Sequence, residues 1–362
     1  MSASPQHRVV AWGTGAIGTE LLTAVIDHRP DLRIVGARVY LDDKNGADVG
    51  TLVGREPIGV TATTDVEKIL ALDADCVLYT PRNTSIDDVC AILASGKNVV
   101  TTAFLFHPRR IDPGDRDRLL AACTAGASSV HGSGLNPGNL SGVLPLALSG
   151  MSRTIDRITL QERADWSFYD STSITFDNMA FGQPVEDISP TTNDFLAFNS
   201  GIFSNEVWLL ADALNAGIDE VTATVEAVAA RTDHQIFDHL LHAGTTAGQR
   251  WSWAGRRNGE TLVEIEALWT VGGEYPSHWP KPQHGWTLTI QGDPTMRTHF
   301  LVMAGDPGAS MVQHVTASNV ATAMQILNAV PAVCAAPTGF ATMADLPLIR
   351  SGAGFRKGGG GG

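Results

Sequence analysis

Short apolar runs alternate with segments of helical period from Val9 to His131. Val9–Trp12, Leu32–Tyr40, Asp75–Thr80, Asn98–Thr102 and Ser128–His131 read as strands, apolar enough to be covered on both faces. Thr19–Ile26, Ile86–Ala94 and the stretch from Asp112 to Ala125 read as helices, the last opened by the residue types that cap and begin a helix, Asp112 and Pro113. Such alternation predicts parallel strands joined by right-handed crossovers, with any ligand at the carboxyl ends of the strands. Three segments leave those ends: Thr80–Asn83, Thr102–Pro108 and Gly132–Gly138.

Beyond Met151 the period changes. Ile155–Ala164 reads as a strand, Ser204–Leu214 as a helix and Ile218–Ala229 as a strand or a strand and helix. Trp251–Arg257 and Leu262–Val271 form a hairpin across Asn258-Gly259, a tight-turn dipeptide. In the second of these strands Val263, Ile265, Ala267, Trp269 and Val271 alternate with Glu264, Glu266 and Thr270, which predicts a mixed or antiparallel sheet with one wet face. Trp286–Ile290 and Met296–Val302 repeat the pattern across Gly292-Asp293-Pro294. A last helix, Ala317–Ala329, is expected to end at Pro331, and the apolar run Val333–Pro337 to pack back on the first unit. The plan is therefore an α/β unit from 1–138 with about 316–350, a second α+β unit over 139–315, and a tail, 351–362, that ends in five glycines.

The turn after the first strand gives the first unit its chemistry. Gly13-x-Gly15-x-x-Gly18 stands between strand and helix, where one glycine allows a tight turn, the next lets backbone approach a pyrophosphate, and the third lets helix and strand pack closely. Phosphates would sit on the free N–H groups and positive dipole end of the helix, with Thr14, Ala16 and Ile17 completing the cradle. The unit thus reads as Rossmann-type. Arg38 occupies the ribose-reading position 20 residues beyond Gly18, with Lys44 close behind, and basic residues there suit a 2′-phosphate; NADP is favoured, while Asp42 and Asp43 leave NAD open. Thr80, Pro81 and Asn136, at strand ends, complete the expected cofactor contacts.

Charge and composition narrow the partners. With 25 basic against 38 acidic residues the chain carries −13 and repels a polyanion, so nucleic acid is excluded as the expected partner. No apolar run reaches the roughly 18–20 residues of a membrane span, and Met1–His7 lacks the apolar core of a secretory signal; the expected compartment is the cytoplasm. Cys76, Cys90, Cys123 and Cys334 are widely spaced and read as free thiols. His234, His239 and His242 cluster without a carboxylate motif and are read as a solvated helix face, so no metal is expected.

Together the glycine turn, Gly134-Leu-Asn-Pro-Gly138, the stretch from Phe176 to Pro184 and the closing segment from Ala321 to Ala332 through Asp345-Leu-Pro347 resemble the dihydrodipicolinate reductase-like superfamily. Within it the chain is most similar to the 2,4-diaminopentanoate dehydrogenases and native amine dehydrogenases, over nearly its full length. The resemblance implies NAD(P)H-dependent reduction of an imine formed from a ketone and ammonia, or oxidation of an amine, by a homodimer built on the second-unit sheet. Two departures stand out. The lysine and Ser-Gly-Thr signature of dihydrodipicolinate reductases is absent after His131, and the glutamate that the resemblance implies just after Asn98–Thr102 is replaced by Ala103-Phe-Leu-Phe-His107.

Candidates for the chemistry follow from what a hydride acceptor needs. A group must stabilise charge on the atom beside the accepting carbon: a carboxylate for an iminium, a proton donor for a carbonyl. His107 could donate to a carbonyl oxygen. Glu162 or Asp165 could replace the missing carboxylate, with Phe104, Trp166, Phe168 and Tyr169 walling an apolar pocket in and around 162–170. The alternatives left open are a carbonyl reductase that uses no ammonia, and a catalytically silent NADP-binding sensor or scaffold.

Overall fold

The computed structural model describes residues 6–169, 171–273, 275–279 and 283–354; Asp170 and residues 355–362 of the expected tail lie outside them. The chain divides into two compact units, 1–135 with 319–362, and 136–318.

The first unit is an α/β layer structure. Strands β1 (His7–Trp12), β2 (Leu32–Arg38), β3 (Ala62–Thr63), β4 (Cys76–Tyr79), β5 (Asn98–Thr101) and β6 (Ser129–Gly132) form a parallel sheet in the order β3-β2-β1-β4-β5-β6, to which Gly339–Phe340 adds a seventh strand beside β6. Helices α1 (Ala16–His28), α2 (Val49–Leu52), α3 (Val66–Leu70), α4 (Ile86–Ala94) and α5 (Pro113–Gly126) connect the strands. Alternation along β1 sends Val9 and Ala11 into one core, with Leu21, Leu22, Cys76 and Leu78, and Val10 and Trp12 into the other, with Val77, Tyr79, Ile92 and Leu119. Because both faces are covered, the central strands are almost wholly apolar, as buried parallel strands must be. The strand order reverses at β1, between β2 and β4, which is where such sheets bind ligands.

The second unit opens with α6 (Leu144–Ser149) and β7 (Thr154–Asp165). Helix α7 (Asp194–Ala213) follows, then β8 (Glu220–Ala229), the hairpin β9 (His234–Ile236) and β10 (His239–Leu241), and β11 (Thr246–Arg257), β12 (Glu260–Thr270), β13 (Gly285–Asp293) and β14 (Met296–Phe300). Six strands form one mixed sheet in the order β14-β13-β7-β12-β11-β8, with β7 and β12 parallel and the other pairs antiparallel. The expected hairpin turn is present, with Asn258 and Gly259 both at positive φ. Helix α7 covers one sheet face: Phe203 stacks on Trp253 at 4.2 Å, and the Trp253 indole N–H donates to Ser200 Oγ at 2.8 Å. The last helix, α8 (Met311–Cys334), runs across the unit boundary, and its buried residues from Ala323 to Val333 join the first unit's core.

Four expectations need correction. Helix α7 begins ten residues earlier than the apolar period indicated. Asn193 caps it by accepting from the Leu196 N–H at 2.8 Å, and burial of Leu196 and Phe203 overrides the poor helix formers between them. Helix α8 continues past Pro331 instead of ending there. An interior proline costs roughly 3 kcal/mol, but the Leu327 carbonyl that it strands lies 3.5 Å from Arg29 Nη1, and the same nitrogen donates to Asn328 Oδ1 at 2.8 Å. The three histidines lie on the β9–β10 hairpin and its flank, not on a helix, and the His239 ring stacks on Phe176 at 3.8 Å. Finally, Glu266 and Thr270 are not on a wet surface: both are buried, and Glu266 is ion-paired with Arg163 and Arg250 across the sheet.

His131, on β6, is buried, and its Nδ1 donates to the Ala341 carbonyl at 2.7 Å. Burial lowers its pKa to about 4. Between that value and the ordinary 6.5 the unfolded chain takes up a proton that the folded one refuses. The stabilisation is therefore complete above pH 6.5 and declines toward pH 4, by up to about 3 kcal/mol. Thermal melting followed from pH 7 to pH 4.5 should show a shallower acid loss in His131→Gln than in the parent; equal slopes would contradict this account.

Candidate active site

In the first unit the glycine turn has the geometry that its sequence requires. Gly13 has φ +102°, and a Cβ there would lie 3.2 Å from the Thr80 carbonyl; at Gly18 it would stand 2.2 Å from the Gly13 carbonyl oxygen. A Cβ on Gly15 would meet nothing within 4 Å, because that glycine faces open space. Helices α4 and α5 begin with side-chain caps, Ser85 and Asp112, whereas α1 begins at Gly15 without one. Its first-turn N–H groups are therefore left for another acceptor.

That open space is a cleft of about 460 Å³ lined by Gly13, Thr14, Gly15, Tyr40, Leu41, Lys44, Thr80, Pro81, Arg82 and Asn83. Lys44 Nζ lies 3.3 Å from both the carbonyl and the hydroxyl oxygen of Thr14, and so closes over the turn. Ala16 and Ile17 form the first turn of α1 beside it. Arg38 sits under the Tyr40 ring, its guanidinium carbon 4.7 Å from the centroid, and Tyr40 Oη accepts from the Trp12 indole at 3.0 Å. Nε and Nη1 of Arg38 and the Thr80 hydroxyl are buried with no hydrogen-bond partner among the described residues. Asp42 and Asp43 are exposed and are not among the lining residues. Tyr40 thus joins Trp12 and Arg38 at the edge of the cleft.

Segment 103–107 is not among the residues that line this cleft. Phe104, Leu105, Phe106 and His107 are all buried; Phe104 packs edge-on against Tyr79 at 6.4 Å, and a Cβ on Gly132 would lie 2.1 Å from the Phe104 carbonyl oxygen. Phe104 thus serves the first unit's core, where a substrate-pocket position was expected.

The second unit gathers the other candidates around Glu162. This residue is half-buried on the sheet face that also carries Leu160, Ala267 and Leu288, each in register with β7. Its Oε1 accepts from the Trp269 indole at 2.8 Å, and its Oε2 from the Trp286 indole at 3.0 Å and Asn136 Nδ2 at 2.5 Å. All three donors are neutral, and among the described residues no cation pairs with this carboxylate. Asp165 instead shapes the local backbone, accepting from the Ser167 N–H at 2.9 Å and capping the short turn Trp166–Phe168. Trp166 packs against Tyr169 at 5.0 Å, Trp269 at 5.9 Å and Phe181 at 6.5 Å, with Phe168 half-buried in the same turn. Trp269 and Trp286 were missed as partners of Glu162 because only strand register brings them there.

The parallel sheet with its uncapped, glycine-led helix defines a dinucleotide-type oxidoreductase. Residues 141–357 match the 2,4-diaminopentanoate dehydrogenase C-terminal domain family. Over 355 residues, 94% of the chain and 96% of the relative, the sequence is 30% identical to an amine dehydrogenase from Streptomyces virginiae. It is 22% identical to 2,4-diaminopentanoate dehydrogenase from Acetoanaerobium sticklandii, over 95% of the chain and 94% of that protein. The fold matches the structure of an amine dehydrogenase from Mycobacterium smegmatis with a TM-score of 0.76 and 19% identity, covering 98% of this chain and all of the other. The chain belongs to the 2,4-diaminopentanoate dehydrogenase family.

A Cβ at position 15 would project into open space. Gly15→Val should therefore keep the parent melting temperature within a few degrees and lose binding of NADPH in a fluorescence titration. Gly18→Ala should instead lower the melting temperature. Undiminished NADPH binding by Gly15→Val would remove the cofactor from this cleft.

Proposed function

We propose that this NAD(P)-dependent oxidoreductase of amines works with NADP and holds the amine nitrogen on Glu162. In the oxidative direction a primary ammonium, NADP⁺ and water give a ketone, ammonium, NADPH and a proton. The nicotinamide supplies the hydride-accepting carbon when bound. The open N–H groups of Gly15 to Gly18 and the space before Gly15 suit a pyrophosphate, and Arg38 with Lys44 suits a 2′-phosphate.

The observation that carries this reading is the Glu162 carboxylate. Three neutral N–H donors fix its orientation, and among the described residues no cation compensates its charge. A cation within about 4 Å of it gains roughly 4 kcal/mol at the effective dielectric of a protein surface. An ammonium or iminium would gain that attraction, and an uncharged ketone would not. Substrate binding is thereby biased toward the charged nitrogen species, and the iminium is stabilised more than the ketone that hydrolysis releases. The adjoining rings of Trp166, Tyr169, Phe181 and Trp269 supply an apolar surface for the carbon skeleton. Glu162 thus supplies, from the second unit, the carboxylate that 103–107 lacks. A homodimer built on the second-unit sheet is part of the same reading.

Incubation with NADPH and a panel of small aliphatic ketones, with and without ammonium, tests the proposal: NADPH should be consumed only when ammonium is present. Consumption without ammonium would favour a carbonyl reductase using His107, and cofactor binding with no consumption a silent sensor. Fluorescence titration should give tighter binding of NADPH than of NADH, and Arg38→Ala should narrow the gap; equal affinities in the parent would contradict the 2′-phosphate assignment.

A further inference from the structure

Helix α7 carries a carboxylate that none of these steps uses. Glu206 is fully buried; its Oε1 lies 3.2 Å from the Ser141 hydroxyl, which donates to it, and the Gly138 N–H also donates to this carboxyl. The Gly138 nitrogen lies 3.1 Å from Ser141 Oγ as well, so carboxyl, hydroxyl and amide close a triangle. Glu206 Oε2 is buried without a partner among the described residues. Gly138, at φ +132°, is two residues from Asn136, the donor to Glu162 at 2.5 Å.

We propose that Glu206 is a positioning residue: by fixing the segment 136–141 it aims Asn136 at the Glu162 carboxylate. This rests on the reading of Glu162 as the anchor for the amine nitrogen. Among the described residues the partners of Glu206 are Ser141 and Gly138, and its influence passes through them to Asn136.

The surroundings of Glu206 are unusually free of charge. Segment 135–143 and α6 contain no ionisable side chain. On β8, β11 and β12, the strands that α7 packs against, Glu220, Glu226, Arg250, Glu264 and Glu266 alternate onto the sheet face turned away from Trp253 and the helix. On α7 itself Asp194 and Asp212 lie at its ends, and Glu162 on β7 is the titratable group at the far end of the relay. Burial raises the Glu206 pKa to about 8, against which the bonds from Ser141 and Gly138 act. The carboxyl is therefore neutral at pH 7. On ionising it draws the Ser141 O–H and Gly138 N–H in more strongly and leaves a charge on Oε2, which has no donor among the described residues; the triangle is redrawn and Asn136 moves with it.

The test reads Trp269 and Trp286 directly, because both indoles donate to Glu162. In the full chain labelled with ¹⁵N-tryptophan, the two indole N–H signals should move together with a midpoint near pH 8. Glu206→Gln, a neutral isostere, should hold both at their low-pH positions through pH 9. Ser141→Ala, which keeps the backbone intact, should displace both already at pH 7. Signals that titrate alike in the parent and Glu206→Gln and stay in place in Ser141→Ala would overturn the proposal. So would a lowered melting temperature in both variants with both signals unmoved, which assigns Glu206 to packing alone. The spectra require no turnover, so failure of the amine reading shows separately, as ketone reduction indifferent to ammonium.

Discussion

A carboxylate on an apolar sheet face must be satisfied, and the way Glu162 is satisfied sets the character of the whole site. Leaving such a group without hydrogen bonds costs several kcal/mol. Two indoles and an amide meet that need without cancelling the charge. Glu266, on the opposite face of the same sheet, meets it in the other way, by ion pairs with Arg163 and Arg250. A paired carboxylate has no attraction to spare for a ligand, whereas one held by neutral donors keeps its negative potential. One sheet therefore contains an ion-paired acid and an acid held, among the described residues, by neutral donors alone.

The cofactor cleft follows the same logic with the sign reversed. Helix α1 begins without a side-chain cap, so its positive end and free N–H groups face the space before Gly15. Arg38, stacked under Tyr40 and lacking partners for Nε and Nη1 among the described residues, adds positive charge at the end of β2. An anionic nucleotide suits the first unit, and a cationic nitrogen suits the second. A nicotinamide-dependent enzyme acting on amines needs both.

Features that depend on local sterics were legible in the sequence. The glycine turn was, because tight turning and helix packing each exclude a Cβ at a fixed offset, as Gly13 and Gly18 show, while Gly15 faces open space. The Asn258-Gly259 hairpin was legible for the same reason. What the sequence could not show was remote partnership. Helix α8 tolerates Pro331 because Arg29, nearly 300 residues away along the chain, reaches the stranded carbonyl. Glu162 was a candidate by residue type, but its donors come from β12, β13 and the loop after β6, and only strand register assembles them. Glu206 lies within the expected helix Ser204–Leu214, but its partners Ser141 and Gly138 are remote in sequence and only the fold brings them to it. A lone acid among Phe203, Val207, Leu209 and Leu210 was the signal available for finding it.

The central claim is that the Glu162 charge, not its shape, holds the substrate nitrogen. Steady-state reduction of a ketone by NADPH in parent and Glu162→Gln, with ammonium varied, tests it most directly, because glutamine keeps the volume and one hydrogen-bond acceptor. The account predicts a loss of 100-fold or more in kcat/KM for ammonium, about 3 kcal/mol, with the NADPH dissociation constant unchanged. An ammonium kcat/KM within a few-fold of the parent would contradict it.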